Sequence, residues 1–247
     1  MTTKGIDCAQ PIPANTAKAI AAQGYEFAAR YLVPSNYAWK RLTRKEAEGI
    51  TQAGMQIISV YETTASRPAG GASYGREDGK LALQEAIAIG QPEGSAIYFA
   101  VDYDAQPSDY DAIEAYLRAA AAEIGAYGTG VYGSYAVVEE MRKRGAAKHL
   151  WQTYAWSHGK KSASANVWQY QNGVTVAGHP VDLNESYGDE GWWNTNEEED
   201  KAMSAEDADK IIRFLSAGWF ATEDPEARAE FNRLANEVRK AAGLPTE

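Results

Sequence analysis

Short apolar runs alternate with amphipathic stretches along the first 145 residues of the chain. Strand-like runs fall at Gly5 to Gln10, Glu26 to Val33, Met55 to Thr63, Ala96 to Asp104 and Gly130 to Tyr135. Between them, apolar positions recurring every three or four residues predict helices over Asn15 to Gln23, Thr43 to Ala53, Gly79 to Ile89, Ser108 to Ile124 and Ala136 to Gly145. Thr43 stands three residues before Glu46, and Ser108 three before Asp111, the spacing of helix N-terminal caps. Gly24, Gly54, Gly90 and Gly125 follow four of these helices, where a C-terminal glycine is expected.

Strict alternation of strand and helix implies parallel strands covered by outer helices. After Gly145 the rhythm changes: His149 to Trp156, Asn166 to Gln171 and Val181 to Asn184 read as strands with no room for helices between them. Eight strands with five major helices predict an α/β fold, a TIM-like (β/α)5(β)3 barrel whose last part is closed by short connections or hairpins. Residues 1–193 make up this barrel, and the polar run Asn194-Thr-Asn-Glu-Glu-Glu-Asp-Lys201 marks a solvated linker over 194–203. Residues 204–247 form a small module of two helices, Ser204 to Ala217 and Pro225 to Ala242. In the second of these Ala227, Phe231, Leu234 and Val238 make one apolar stripe. So short a hairpin buries little by itself, which predicts docking on the barrel, pairing with another copy or binding of a ligand.

With 247 residues the chain is long enough for one large core plus an appendage. A net charge of -10 excludes a phosphate-neutralising groove, so no nucleic-acid partner is expected. Cys8 is the only cysteine, which rules out an internal disulfide and fits folding in a reducing cytoplasm. Met1-Thr-Thr-Lys-Gly-Ile-Asp7 enters a strand without a basic and apolar leader, so synthesis in the cytoplasm without a signal peptide is expected. No stretch approaches the roughly 20 apolar residues of a membrane span, and no membrane insertion is expected. The 15 Tyr and 7 Trp outnumber the 5 Phe, and rings with a polar handle suit either a wet sugar site or ordinary rim packing.

The chemistry sits at strand ends. Asp7, Glu62, Asp102, Asp104 and Asp182 all close strand-like runs, and in a parallel barrel such ends open on one face. Period-two alternation puts Asp102 and Asp104 on one side of a strand, their α-carbons roughly 6.6 Å apart. Converging carboxylates repel, so some must be protonated, paired or bound to a cation, and Arg30 is the cationic partner at the end of the second strand. A glycosidase needs such a set: one carboxylic acid protonates the leaving oxygen while a second carboxylate acts as base, nucleophile or stabiliser. An Asp-x-Asp also serves as a turn former or as part of a hard-cation site. His149, His158 and His179 are scattered without metal-ligand spacing, so neither a metal nor an organic cofactor is expected. Gly128-Thr-Gly-Val-Tyr-Gly133 matches a dinucleotide fingerprint only formally, because it opens a strand. Ser73 and Ser134 lack triad partners. Thr64 to Gly75, with Gly70-Gly71, is expected to be a flexible loop after the third strand, either covering the mouth or solvated.

Gly5-Ile-Asp7, Val101-Asp-Tyr-Asp104, Gly130-Val-Tyr-Gly-Ser134, Val167-Trp-Gln-Tyr170 and Val181-Asp-Leu-Asn184 occur in an order and spacing that resembles the glycoside hydrolase family 25 lysozymes. With Arg30-Tyr31 and Val60-Tyr-Glu62 added, the chain is still more similar to the glycoside-hydrolase-like domains of the DUF1906 group, over about residues 3 to 192. The resemblance implies a lysozyme-type barrel acting on peptidoglycan glycan strands, cleaving the β-1,4 link between N-acetylmuramic acid and N-acetylglucosamine. Asp7, Asp102 and Asp182 match the lysozymes' acidic positions, and Asp104 stands where they carry the glutamate thought to be the proton donor. Aspartate is one methylene shorter, and a donor misplaced by about 1 Å can cost on the order of a hundredfold in rate. Either the sugar sits deeper, or Glu62 donates, or hydrolysis has been lost and a glycan-binding barrel remains. Arg30, Tyr61, Tyr132, Trp168, Gln169, Tyr170 and Asn184 are the expected substrate contacts. A barrel lysozyme with a small extra module and no leader also resembles a phage endolysin, released to the wall through a holin. Its helical module would then bind the wall or self-associate.

Overall fold

A computed structural model of the protein describes residues 2–196 and 205–246. Its elements run β1 (Thr3–Asp7), α1 (Ala14–Ala21), β2 (Phe27–Tyr31), α2 (Arg44–Gln52), β3 (Gln56–Tyr61), α3 (Gly71–Ile89), β4 (Ala96–Ala100) and α4 (Tyr110–Ile124). They continue with β5 (Gly128–Gly133), α5 (Tyr135–Lys143), β6 (His149–Thr153), β7 (Val167–Val176) and β8 (His179–Ser186). The eight strands close into a barrel in sequence order. Strands β1 to β7 run parallel to their neighbours, and β8 is antiparallel to both β7 and β1. Ala177 and Gly178, both at positive φ, join β7 to β8 by the two-residue turn whose twist suits a hairpin. The fold is therefore an α/β barrel of five helical crossovers followed by three strands without helices, as the alternation of the sequence implies.

Alternation sorts each strand into an inner and an outer set. Phe27, Ile58, Tyr98, Trp151 and Val167 cluster inside the barrel, whereas Ala28, Ile57, Ile97, Phe99, Val131 and Leu150 join the layer beneath the helices. The inner rings need room that only glycine leaves. A Cβ on Gly5 would lie 2.2 Å from the Phe27 ring, and one on Gly130 would lie 2.5 Å from the Tyr98 ring. At the closing edge, Trp193 exchanges backbone hydrogen bonds with Ile57 and donates its indole N–H to Ser59 Oγ at 2.9 Å.

Three local expectations change. Helix α3 begins at Gly71 rather than Gly79, so Thr64 to Gly75 is not a flexible loop; a single 3-10 turn, Arg67–Gly70, precedes the helix. Two glycines of the helix make a close contact with α4: a Cβ on Gly75 would fall 2.1 Å from the Tyr116 carbonyl, and one on Gly79 would fall 2.9 Å from Ala120. Close packing thus offsets the roughly 1 kcal/mol that each helical glycine costs. Strand β4 ends at Ala100, so Asp102 and Asp104 lie in the following loop. The helix cap expected of Ser108 is not formed: Ser108 lies in a 3-10 turn, Pro107–Asp109, that leads into α4, the Asp109 carboxylate accepts from the Gln106 N–H at 2.9 Å at the start of that turn, and α4 itself has no side-chain cap.

Contacts divide the chain into two units, Met1–Thr195 and Asn196–Glu247. From 197 on, the expected linker lies outside the described residues, as does Ser204. The second unit pairs α6 (Ala205–Ala221) with α7 (Pro225–Ala241), the first of them four residues longer at its C-terminal end than its apolar pattern suggested. Ala208 and Ala235 are buried between them, while Phe214 and Phe220 remain exposed.

Replacing Gly5 by Ala is expected to force the Phe27 ring out of the barrel centre and to lower unfolding stability by about 1–3 kcal/mol, measured by urea denaturation.

Candidate active site

At the C-terminal ends of the strands the barrel holds a cavity of about 140 Å3 lined by Asp7, Tyr31, Glu62, Asp102, Tyr132, Trp151, Gln169, Asn172 and Asp182. A wider recess of about 780 Å3 opens at the opposite pole, beside Thr3, His149 and Trp192. Catalytic groups of parallel barrels gather at the C-terminal pole, and so do the acids here. Each lining acid continues the inward set of its own strand: Asp7 follows Gly5, Glu62 follows Val60, Asp102 follows Ala100, and Asp182 precedes Asn184.

Asp7 is the most firmly held. Its Oδ2 accepts from Gln169 Nε2 at 2.8 Å and from Asn184 Nδ2 at 2.7 Å. The orientation of both amides is fixed from behind. Gln169 Oε1 accepts from the hydroxyls of Tyr132 at 2.9 Å and Thr153 at 2.8 Å, and Asn184 Oδ1 accepts from the Trp151 indole at 2.9 Å. The amide N–H groups are therefore turned to Asp7, with longer contacts to Asp182: Gln169 Nε2 to its Oδ2 at 3.5 Å and Asn184 Nδ2 to its carbonyl at 3.4 Å. Burial and the neighbouring Asp182 charge raise the Asp7 carboxyl to about 7, against the opposing pull of its two amide donors. With Oδ2 saturated, Oδ1 is left to carry the proton.

Asp182 accepts from the Gly173 backbone N–H at 2.7 Å, and burial lifts its carboxyl above the ordinary range. Asp102 is raised to about 6 by burial first and the charge of Glu62 second, with Lys40 opposing. Glu62 has its own cation, Lys40, whose Nζ lies 3.7 Å from Glu62 Oε1. Four carboxyl groups therefore border one space with a single ammonium beside them, and the least costly arrangement leaves protons on the most buried acids. Among the described residues, no three His, Cys, Asp or Glu side chains form a metal-binding group.

Several expected contacts lie elsewhere. Asp104 is exposed and does not line the cavity, because the chain has left the strand and alternation no longer holds its side chain beside that of Asp102. Arg30 is fully buried on the outer side of β2, where its Nε pairs with Glu46 at 2.7 Å and its Nη2 donates to the Lys40 carbonyl at 3.2 Å. Its Nη1 donates to the Cys8 and Ala9 carbonyls. Tyr61 packs on the outer face of β3, its ring 6.0 Å from that of Phe99. Trp168 and Tyr170 flank the inward Gln169 and form a ring pair of their own, 5.9 Å apart, with Lys161 over Trp168. Arg30, Tyr61, Trp168 and Tyr170 are thus not cavity contacts. Alternation allows only one of two neighbours inside, and in each case the neighbour holds the place.

Gln169 and Asn184 do meet at the Asp7 carboxyl, and Tyr132 lines the cavity and supports Gln169 from behind. The sequence reading missed Lys40, Trp151 and Asn172 and gave no separate weight to Tyr31. The position of Lys40 in a loop after a barrel strand, next to Tyr37 and Trp39, was the one available signal.

The fold is a closed barrel of five helical crossovers and three further strands, with acids from four strands around one cavity. The chain belongs to the Rv2525c-like, glycoside hydrolase-like domain family, which matches residues 18–216. It is similar to the Tat-secreted protein Rv2525c of Mycobacterium tuberculosis, solved in complex with L-tartrate, at 27% identity over 77% of this chain and 98% of that one, with a TM-score of 0.70. GHIP, a glycosyl hydrolase 25 of Streptococcus pneumoniae, shares the fold at 16% identity over 74% of this chain and 86% of its own, with a TM-score of 0.53. FadG of Bacillus subtilis is 30% identical over 115 residues, which are 43% of this chain and 19% of FadG, so the chain matches under a fifth of that relative.

Asp7→Asn should relieve a pH-dependent cost. The amide oxygen can accept from Gln169 and Asn184 while its NH2 replaces the protonated oxygen. A carboxyl raised from 3.8 to about 7 lends stability that is complete below its unfolded pKa and lost as pH rises through 7. Urea unfolding at pH 4 and pH 8 should therefore show the variant gaining on the wild type by up to about 4 kcal/mol between the two. An equal difference at both pH values would mean that Asp7 is already ionised in the acid form of the protein.

Proposed function

We propose that the protein is a glycosidase that cleaves peptidoglycan glycan strands between N-acetylmuramic acid and N-acetylglucosamine, with Asp102 as proton donor and Glu62 as the facing carboxylate. The observation that carries this reading is the gathering of Asp7, Glu62, Asp102 and Asp182 around one cavity, with Asp102 raised to about 6 and Glu62 ion-paired to Lys40. Two carboxyl groups with opposed environments supply the acid and the anion that glycoside cleavage requires. Asp102 gives its proton to the glycosidic oxygen as the bond to the anomeric carbon breaks. The Glu62 carboxylate faces the positive charge that develops on the sugar ring, and water then adds to the anomeric carbon as the new hydroxyl while its other proton returns to the Asp102 carboxylate. Asp7 and Asp182, fixed by Gln169, Asn184 and the Gly173 N–H, keep the cavity polar and hold the sugar's hydroxyl or N-acetyl groups.

The ring platform comes from residues other than those first expected. Trp39 is 61% exposed in the loop after β2, and Tyr154 and Trp156 are 45% and 36% exposed in the loop after β6. In a closed ring of eight strands β2 and β6 stand opposite one another. A glycan strand crossing the mouth would meet aromatic faces on both sides, which supports a polymer over a free monosaccharide.

Incubation with Gram-positive cell walls should release reducing ends, identified by mass analysis of the fragments. Asp102→Asn should lower the rate by about 10²–10⁴-fold. Because the donor must be protonated, kcat/KM should fall as pH rises through about 6. New amino groups without reducing ends would refute the glycosidase in favour of an amidase or peptidase. The exposed Asp104, where the lysozymes carry glutamate, favours one second reading, a glycan-binding barrel without hydrolysis. Wall fragments that bind and stay intact on long incubation would establish it.

A further inference from the structure

Lys40 is the strangest cation in the barrel. A lysine ordinarily keeps its ammonium in water while its stem lies on apolar surface, yet Lys40 is only 5% exposed. Three rings surround the ammonium: its Nζ lies 4.5 Å from the Tyr31 centroid, 5.5 Å from Trp39 and 5.9 Å from Tyr37. Such faces stabilise a cation at separations up to about 6 Å. The remaining direction holds Glu62, 3.7 Å away. Lys40 does not itself line the cavity, whereas Glu62 and Tyr31 do.

The backbone beneath it is equally constrained. The Lys40 N–H donates to the Tyr37 carbonyl at 3.0 Å, and its carbonyl accepts from Arg30 Nη2 at 3.2 Å. Arg30 is in turn locked by Glu46 and the Cys8 and Ala9 carbonyls. A fully buried ion pair thus anchors the loop that delivers one ammonium to one carboxylate at the cavity wall.

We propose that Lys40 is a positioning residue of this site, holding the Glu62 carboxylate against the cavity wall as its ion-pair partner so that Asp102 is the acid that gives the proton for bond cleavage. The assignment rests on the reading of the cavity as a carboxylate glycosidase. Glu62 after β3, Asp182 on β8 and Asp7 on β1 act on the Asp102 carboxyl or feel its charge, as do the hydroxyls of Tyr31 and Tyr132, and Lys40 is the cation that opposes them. Without Lys40, Glu62 and Asp102 would face each other with no cation between them and would compete for one proton.

Carbon NMR titration of the aspartate and glutamate carboxyls in the wild type, Lys40→Met and Lys40→Arg tests this, with Asp102→Asn and Glu62→Gln spectra for assignment and thermal unfolding to check that each variant folds. In Lys40→Met the apparent titration of Asp102 should move upward by about one unit, and Lys40→Arg should return most of the way to the wild-type value. The alkaline limb of kcat/KM on cell walls should move up by the same amount in Lys40→Met, together with a fall in kcat as the proton is shared with Glu62. Unmoved carboxyl titrations in a folded Lys40→Met, or an equal displacement in Lys40→Arg, would overturn the assignment. The NMR readout needs no hydrolysis: if the wild type leaves walls intact while the titrations move, the glycosidase reading falls and the Lys40–Glu62–Asp102 coupling stands.

Discussion

Closing eight strands into a ring leaves each strand only one alternate set of side chains for the interior. Everything distinctive about this barrel follows from how that limited space is filled. Toward one pole it takes rings, with Phe27 and Tyr98 fitting only because Gly5 and Gly130 have no side chain. Toward the other pole the same inward sets end in acids, and the rings give way to a small polar cavity. The floor and the site are thus one packing problem, since the aromatic filling keeps water from entering below and makes ionisation of Asp7 costly from above.

The polar network around Asp7 shows how a barrel accommodates a buried acid. Gln169 and Asn184 are each fixed by a second hydrogen-bonding group, so neither amide can turn away. The arrangement satisfies every partner and holds one carboxylate oxygen in a set direction. It also leaves the other oxygen and the neighbouring Asp182, Asp102 and Glu62 to settle their charges among themselves. Lys40 is the cation beside that set, and its loop is anchored from the helix side of β2 rather than from the cavity side. Support for the site therefore crosses the strand, from the buried Arg30–Glu46 pair to the Lys40 backbone.

Membership in the Rv2525c-like, glycoside hydrolase-like family accounts for the barrel, and the carboxylates account for the proposed chemistry. Asp104 is exposed and stands away from the cavity, while Asp102, in the same loop, lines it. On the proposed reading the donor role therefore falls to Asp102.

The sequence by itself determined the order of strands and helices, the change of rhythm after Gly145, and the presence of acids at strand ends, because period and capping are local properties of the chain. It also carried the rule that Arg30 and Tyr31, Tyr61 and Glu62, or Trp168 and Gln169, cannot both face the same side. Which member of each pair turns inward was decided by tertiary structure alone. Glu46 on α2 and the carbonyls of Cys8 and Ala9 claim Arg30 for the outer layer, and the hydroxyls of Tyr132 and Thr153 claim Gln169 for the inside. Likewise Asp-x-Asp promised two inward carboxylates only while the chain remained extended, and β4 stops at Ala100. The start of α3 was hidden for the same reason: Gly75 and Gly79 let the Tyr116 and Ala120 backbone of α4 approach, a contact that no local pattern records.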